Sequence, residues 1–166
     1  MDQTDADAPG REPEPSERGP DTPRELKARA LRLLMRREHG RAELEKKLAA
    51  HAACAADLEV LLDELIRRKL LSEDRMAEQR AHTLSRKYGA SRVRHDLRAR
   101  GVGDETIARV TAEAEATEFE RARAIWTRKF RAPGTTPGER AKQMRFLASR
   151  GFSGDTIRKV LSQSDE

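Results

Sequence analysis

The side chains of this chain that could do chemistry are mainly basic. Arg92, Arg94, Arg98 and Arg100 recur at a spacing that suits one helix, preceded by Arg86 and Lys87. At about 100° per residue, Arg94 and Arg98 stack one turn apart while Val93 and Leu97 face inward, so guanidinium groups line the outer face. Such a row can fork-bond phosphates or carboxylates. It fits equally well a solvated face in which Asp96 is a partial counterweight. Lys142, Arg145 and Arg150, with Lys129 earlier, form a second basic flank, and Arg36-Arg37 stands near the start. These positions are the candidate contacts to an acidic protein or to nucleic acid, sought first in the middle of the chain.

Catalytic and metal chemistry find little support. His39, His51, His82 and His95 lie far apart, no two of them at i and i+4, and zinc needs closely arranged donors. Cys54 sits in an alanine run without a base or an electropositive neighbour, which points to a small packed residue rather than a nucleophile. Glu73-Asp74 and Asp104-Glu105 stand at helix starts, where the helix dipole accounts for them. No phosphate-binding Gly-rich loop ending in Lys-Ser/Thr occurs. No catalytic residue, metal or cofactor is therefore expected. A lone cysteine suits a reducing compartment, and no run approaches the ~18 apolar residues of a membrane span, so a cytoplasmic protein is expected.

The elements that must position the basic residues repeat. Leu97–Ile107 is echoed fifty residues later by Leu147–Ile157. Moved back by 49, Gly89, Val93, Leu97, Ile107 and Val110 fall on Gly40, Leu44, Leu48, Leu58 and Leu61. Arg86-Lys87-Tyr88 matches Arg128-Lys129-Phe130 at an offset of only 42, which locates an eight-residue insertion around Arg131–Gly138. Thr22-Pro23-Arg24-Glu25 and Thr136-Pro137-Gly138-Glu139 are twin helix-start signals. Leu58, Leu61, Leu62 and Leu65 form a buried stripe, and Trp126 and Phe130 are read as core rather than as stacking platforms for bases. Phe146 lies off the stripe of its own helix, so it packs on a neighbour or faces a partner.

With 38% charged and 4% aromatic residues, the chain predicts an all-α fold: three tandem three-helix repeats in an elongated, curved array. The repeats are placed at 22–71, 72–117 and 118–163, after a disordered, acidic, Pro-rich tail at 1–21. Residues 1–23 carry a net −5 and the remainder +10. The tail is accordingly a candidate shield for the basic body when no partner is bound.

Arg36-Arg37-Glu38-His39 before Glu43-Leu44 and Leu48, Tyr88-Gly89 before Arg92-Val93 and Leu97, and Trp126 with Lys129-Phe130 occur in an order that resembles the RecX family. The segment Lys142-Gln143-Met144-Arg145-Phe146-Leu147-Ala148-Ser149-Arg150-Gly151-Phe152 carries the closest likeness. Gly40 and Ala90 depart from the serine and proline frequent at those places. The resemblance, over about residues 24–162, implies a monomeric, non-enzymatic modulator of the RecA recombinase. Such a protein lies along the RecA filament on single-stranded DNA and inhibits its ATPase, coprotease and strand-exchange activities, in recombination, DNA repair and the SOS response. The alternative is a direct, sequence-independent DNA-binding protein built from three-helix units. Glutamine and asparagine, which read base edges, are nearly missing from the second and third helices of the units.

Overall fold

The computed structural model describes residues 19–162, and every regular element within them is helical. Thr22 opens α1 (Pro23–Arg36): its hydroxyl accepts from Glu25 N, and the Glu25 carboxylate accepts from Thr22 N. Two first-turn amides that lack intrahelical partners are thus satisfied reciprocally. Thr136 and Glu139 repeat this capping box at α8 (Pro137–Ser149), again with proline in the first helical position. Between them lie α2 (Arg41–Leu48), α3 (Ala55–Arg67), α4 (Glu73–Ser85), α5 (Ala90–Ala99), α6 (Asp104–Ala116) and α7 (Glu118–Phe130). The last described helix is α9 (Gly154–Ser162).

The helices form three tandem triplets, each around its own apolar cluster. The stripe of α3 meets Leu26, Ala30, Leu44 and Leu48 in the first unit. Met76, Ala77, Val93, Leu97 and Ile107 fill the second, and Ala122, Trp126, Leu147, Phe152 and Ile157 the third. Each buried leucine or isoleucine contributes about 2–3 kcal/mol before ordering costs, so small local cores suffice. Trp126 is buried, and Phe130 meets Phe146 edge-on at 5.2 Å beside it, so these rings pack against one another.

The sequence echo has a backbone cause. Gly101 and Gly151 follow α5 and α8 at φ 81° and 80°, a left-handed conformation that suits glycine. The amides of Val102 and Phe152 then return to the carbonyls of Leu97 and Leu147 and bring one apolar residue into each core.

The insertion is pinned from within. Gln143, buried on α8, accepts from Trp126 Nε1 at 3.2 Å and from Gly134 N at 3.3 Å, and donates to Ala132 O at 3.0 Å. At the other end, the expected tail of 1–21 is corrected in its last residues. Asp21 N donates to His51 O at 2.8 Å, and its carboxylate accepts from Arg29 Nε at 2.7 Å, so the chain is anchored before Thr22. The rest of that expectation, residues 1–18, lies outside the described residues.

Candidate partner-binding face

The arginine row of α5 is present, but charge-matched. Arg94 pairs with Glu115, and Arg98 Nε lies 3.0 Å from Asp104. Arg100 reaches Asp96 at 3.0 Å and Glu43 of the first unit at 3.6 Å. Asp96 also accepts two 2.8 Å bonds from Arg80, and hydrogen bonds from these two guanidinium groups hold its carboxyl at about 2. Arg37 pairs with Glu43. Exposed pairs of this kind contribute little stability, but each arginine already has a carboxylate within the chain.

The other predicted positions differ. Among the described residues, Arg36, Arg86, Lys87, Arg92, Lys129, Lys142, Arg145 and Arg150 have no carboxylate partner. Lys87, Arg92 and Arg150 are brought together where the second unit meets the third. Arg92 stacks over the Tyr88 ring at 4.8 Å and reaches across to Ser149 O at 3.5 Å. Arg150 stacks over Phe146 at 4.7 Å and reaches back to Lys87 O at 3.2 Å. A guanidinium held over a ring face keeps its N–H donors at the edge of the plane, where they can bond carbonyls, carboxylates or phosphates. Lys129 on α7 and Lys142 and Arg145 on α8 are exposed elsewhere on the third unit, Arg86 just follows α4, and Arg36 ends α1. A charge count by unit agrees: residues 118–162 hold eleven Lys/Arg against four acids, whereas 72–117 hold nine against eight.

Two residues that sequence reasoning missed hold this face together. Glu118, the first residue of α7, is buried and accepts from Ala90 N at 3.1 Å and from Ser153 Oγ and Thr156 Oγ1 at 2.7 and 2.8 Å. One carboxylate therefore caps two helix starts, those of α5 and α9, in different units. Burial pushes its carboxyl up, but the hydroxyl and amide donors outweigh burial and keep it below the ordinary value. Arg121, half-buried, donates to the carbonyls of Ser85, Tyr88 and Ala114 and so closes the ends of α4 and α6. A local pattern could not find them, since Ala90 and Ser153 stand 28 and 35 residues from Glu118.

Gly89 completes the junction. Its amide donates to Arg150 O at 2.9 Å, and a Cβ there would sit 2.1 Å from Gly151 O. The close approach excludes any side chain, so α5 cannot carry its own N-cap and takes it from Glu118.

Cys54 is a correction. It is exposed at the N-cap of α3 with no capping bond, because the alanine run opens a helix at the surface instead of filling a core. Among the described residues no group of His, Cys, Asp and Glu could hold a metal, and no helix is long and apolar enough to cross a membrane.

Comparison with known proteins matches this architecture. Residues 72–110 match the second three-helix domain of RecX and residues 116–161 the third. A regulatory protein RecX of Ralstonia nicotianae is 42% identical over 146 residues, covering 88% of this chain and 92% of its own. That of Herbaspirillum seropedicae is 44% identical over 141 residues, covering 85% and 92%. The crystal structure of RecX from Lactobacillus salivarius superposes with a TM-score of 0.71 at 18% identity, over 86% of this chain and 96% of that one. From the repeat of its sequence to the triplets of its fold, the chain belongs to the RecX family of regulatory proteins.

Proposed function

We propose that this protein modulates the RecA recombinase, chiefly by inhibiting it on single-stranded DNA, and has no enzymatic activity of its own. It acts as a cytoplasmic monomer whose helical array touches the filament and opposes the cycle tied to ATP hydrolysis, coprotease action and strand exchange. One observation carries the reading. The two stretches that match the family are the two whose contact builds the basic face of Lys87, Arg92 and Arg150. A filament of acidic protein surface and DNA phosphate suits such a face.

The test is the ATPase of RecA on single-stranded DNA with and without this protein. We expect dose-dependent inhibition. A triple variant Lys87→Glu, Arg92→Glu, Arg150→Glu that keeps its helicity should lose it. Full inhibition by the folded triple variant would remove the face from the reading, and no inhibition by the parent protein would remove the reading itself. A RecA-free titration against salt separates the direct DNA-binding alternative, whose affinity would fall steeply with ionic strength. The rings of Tyr88 and Phe146 are covered by guanidinium groups, so they do not offer bases a free stacking surface.

A further inference from the structure

Beside the basic face, between α5 and the turn that joins α8 to α9, runs a cleft. Arg92, His95, Asp96, Ala99, Ala148 and Ser149 are among its lining residues. We propose that this cleft receives a single side-chain carboxylate, glutamate or aspartate, from a protein partner. The proposal rests on the protein-partner reading above and names the chemistry of the contact.

Charge is the first argument. Arg92 is the cleft's cation without a carboxylate among the described residues: its guanidinium lies over the Tyr88 ring, and among those residues its side chain bonds only to Ser149 O, at 3.5 Å. A guanidinium has five N–H donors in a planar fork, so a bidentate edge is left for an incoming acceptor. Asp96, on the same wall, does not satisfy it. Its oxygens are committed to Arg80 and Arg100, so the carboxylate is balanced before any partner arrives. The His95 ring, exposed on the same helix, adds a further nitrogen at the rim.

Shape is the second. Ala99 from the second unit and Ala148 from the third both line the cleft, are solvent-exposed, and put nothing larger than a methyl group into it. The cleft is thus wide enough for a slender aliphatic stem and presents donors where that stem would end. Its walls are held in register by the Gly89–Gly151 approach and by Glu118, so little ordering is needed on binding.

The same features disfavour a nucleic-acid strand. A nucleic-acid strand carries a phosphate at every nucleotide, whereas Arg92 is the one arginine among the cleft's lining residues. A carboxylate side chain brings one charge only. Other grooves lack this arrangement. Between α4 and α6, Arg109 is already matched by Asp74 and Glu78, and Arg86 shares its groove with the carboxylates of Glu78 and Glu113. The groove of Leu26, Val60 and Leu61 between α1 and α3 is apolar, and nothing shows what would cover it.

The experiment fills the cleft without touching a charge. Ala148→Leu and, independently, Ala99→Leu replace exposed helical alanines, and a thermal melt checks each fold. Isotope-labelled full-length protein is titrated with an acetylated, amidated Glu-Glu peptide while the Arg92 Nε–H resonance is followed. We expect a saturating shift of that resonance, with apparent affinity at least tenfold weaker in both filled variants. Half-inhibitory concentrations against RecA ATPase should rise at least tenfold in parallel, with RecA-free affinity for an oligo-dT strand unchanged. No shift at Arg92, affinities within twofold of the parent in both folded variants, or a matching loss of oligo-dT binding would overturn the proposal. Peptide seated in the cleft with RecA unaffected would leave the cleft standing and sink the regulatory reading. Inhibition by a protein whose cleft ignores the peptide would do the reverse.

Discussion

Met76 and Glu118 stand at corresponding places: at the offset of 42 that aligns Arg86-Lys87-Tyr88 with Arg128-Lys129-Phe130, one falls on the other. Each faces the start of the preceding unit's second helix, Met76 at Gly40 and Glu118 at Gly89-Ala90. Gln79 and Arg121 correspond in the same way, and both bond to the backbone just ahead of the glycine. Yet the two junctions are made of different chemistry. Between the first and second units lie a methionine tip and part-exposed ion pairs, Arg75–Glu38 at 2.8 Å and Arg100–Glu43 at 3.6 Å. Between the second and third lie a buried carboxylate, a half-buried guanidinium and a backbone-to-backbone approach. Gly151 presses on Gly89, whereas a Cβ added at its counterpart Gly101 would meet nothing within 4 Å. One slot thus yields a salt-sensitive joint in one place and a rigid block in the other.

The largest effect should come from breaking the rigid junction. Gly89→Ala forces a methyl group against the Gly151 carbonyl and should cost about 3 kcal/mol or more in urea unfolding followed by Trp126, the protein's one tryptophan, which reports on the third unit. An unchanged midpoint would show that the junction yields. Glu118→Ala comes next, at about 3 kcal/mol, because donors on α5 and α9 lose their acceptor inside the protein.

Acid should separate the two ends. Burial holds the His39 imidazole below its ordinary 6.5, so the neutral form is favoured on folding. Its contribution is complete above about pH 6.5 and fades as pH falls further, which weakens the first unit first. Glu118 is held below 4.5, so its contribution is complete above about pH 4.5 and is lost as pH falls through the folded value. Circular dichroism should therefore start to fall at higher pH than Trp126 fluorescence, and Glu118→Gln should flatten only the later limb. Coincident curves would count against two separable blocks.

Smaller effects sharpen the contrast. At about 1 M salt, where charges are screened beyond about 3 Å, labels on the first and second units should move apart while labels on the second and third should not. Arg75→Ala should mimic that change at low salt. The smallest effect is a gain: Cys54→Ser supplies the missing N-cap of α3 and should stabilise the first unit alone by about 0.5–1 kcal/mol. A matching rise in the Trp126 transition would mean that the units unfold together.

Helix starts, stripes and repeat offsets were legible in the sequence because they depend on near neighbours. The capping boxes of Thr22 and Thr136 stand as the residue pattern implies, and Leu58, Leu61, Leu62 and Leu65 are buried. The partners of charged groups were not legible. Arg94 appears free along α5 because its carboxylate, Glu115, comes from another helix. Glu118 looks like an ordinary dipole-matching acid until its donors arrive from two other helices. The signal that was available is a mismatch between copies: an acid where the earlier unit has methionine, and an arginine where it has glutamine.

Glycine stands ahead of α2 and α5 with no side-chain cap, but Thr136 stands ahead of α8 with a complete capping box and the Gln143-pinned loop beside it. The third unit therefore supplies its own start for its second helix, as the first two units do not. Trimming the eight-residue loop back to the glycine of the earlier units would leave the second helix of the third unit without a cap of its own.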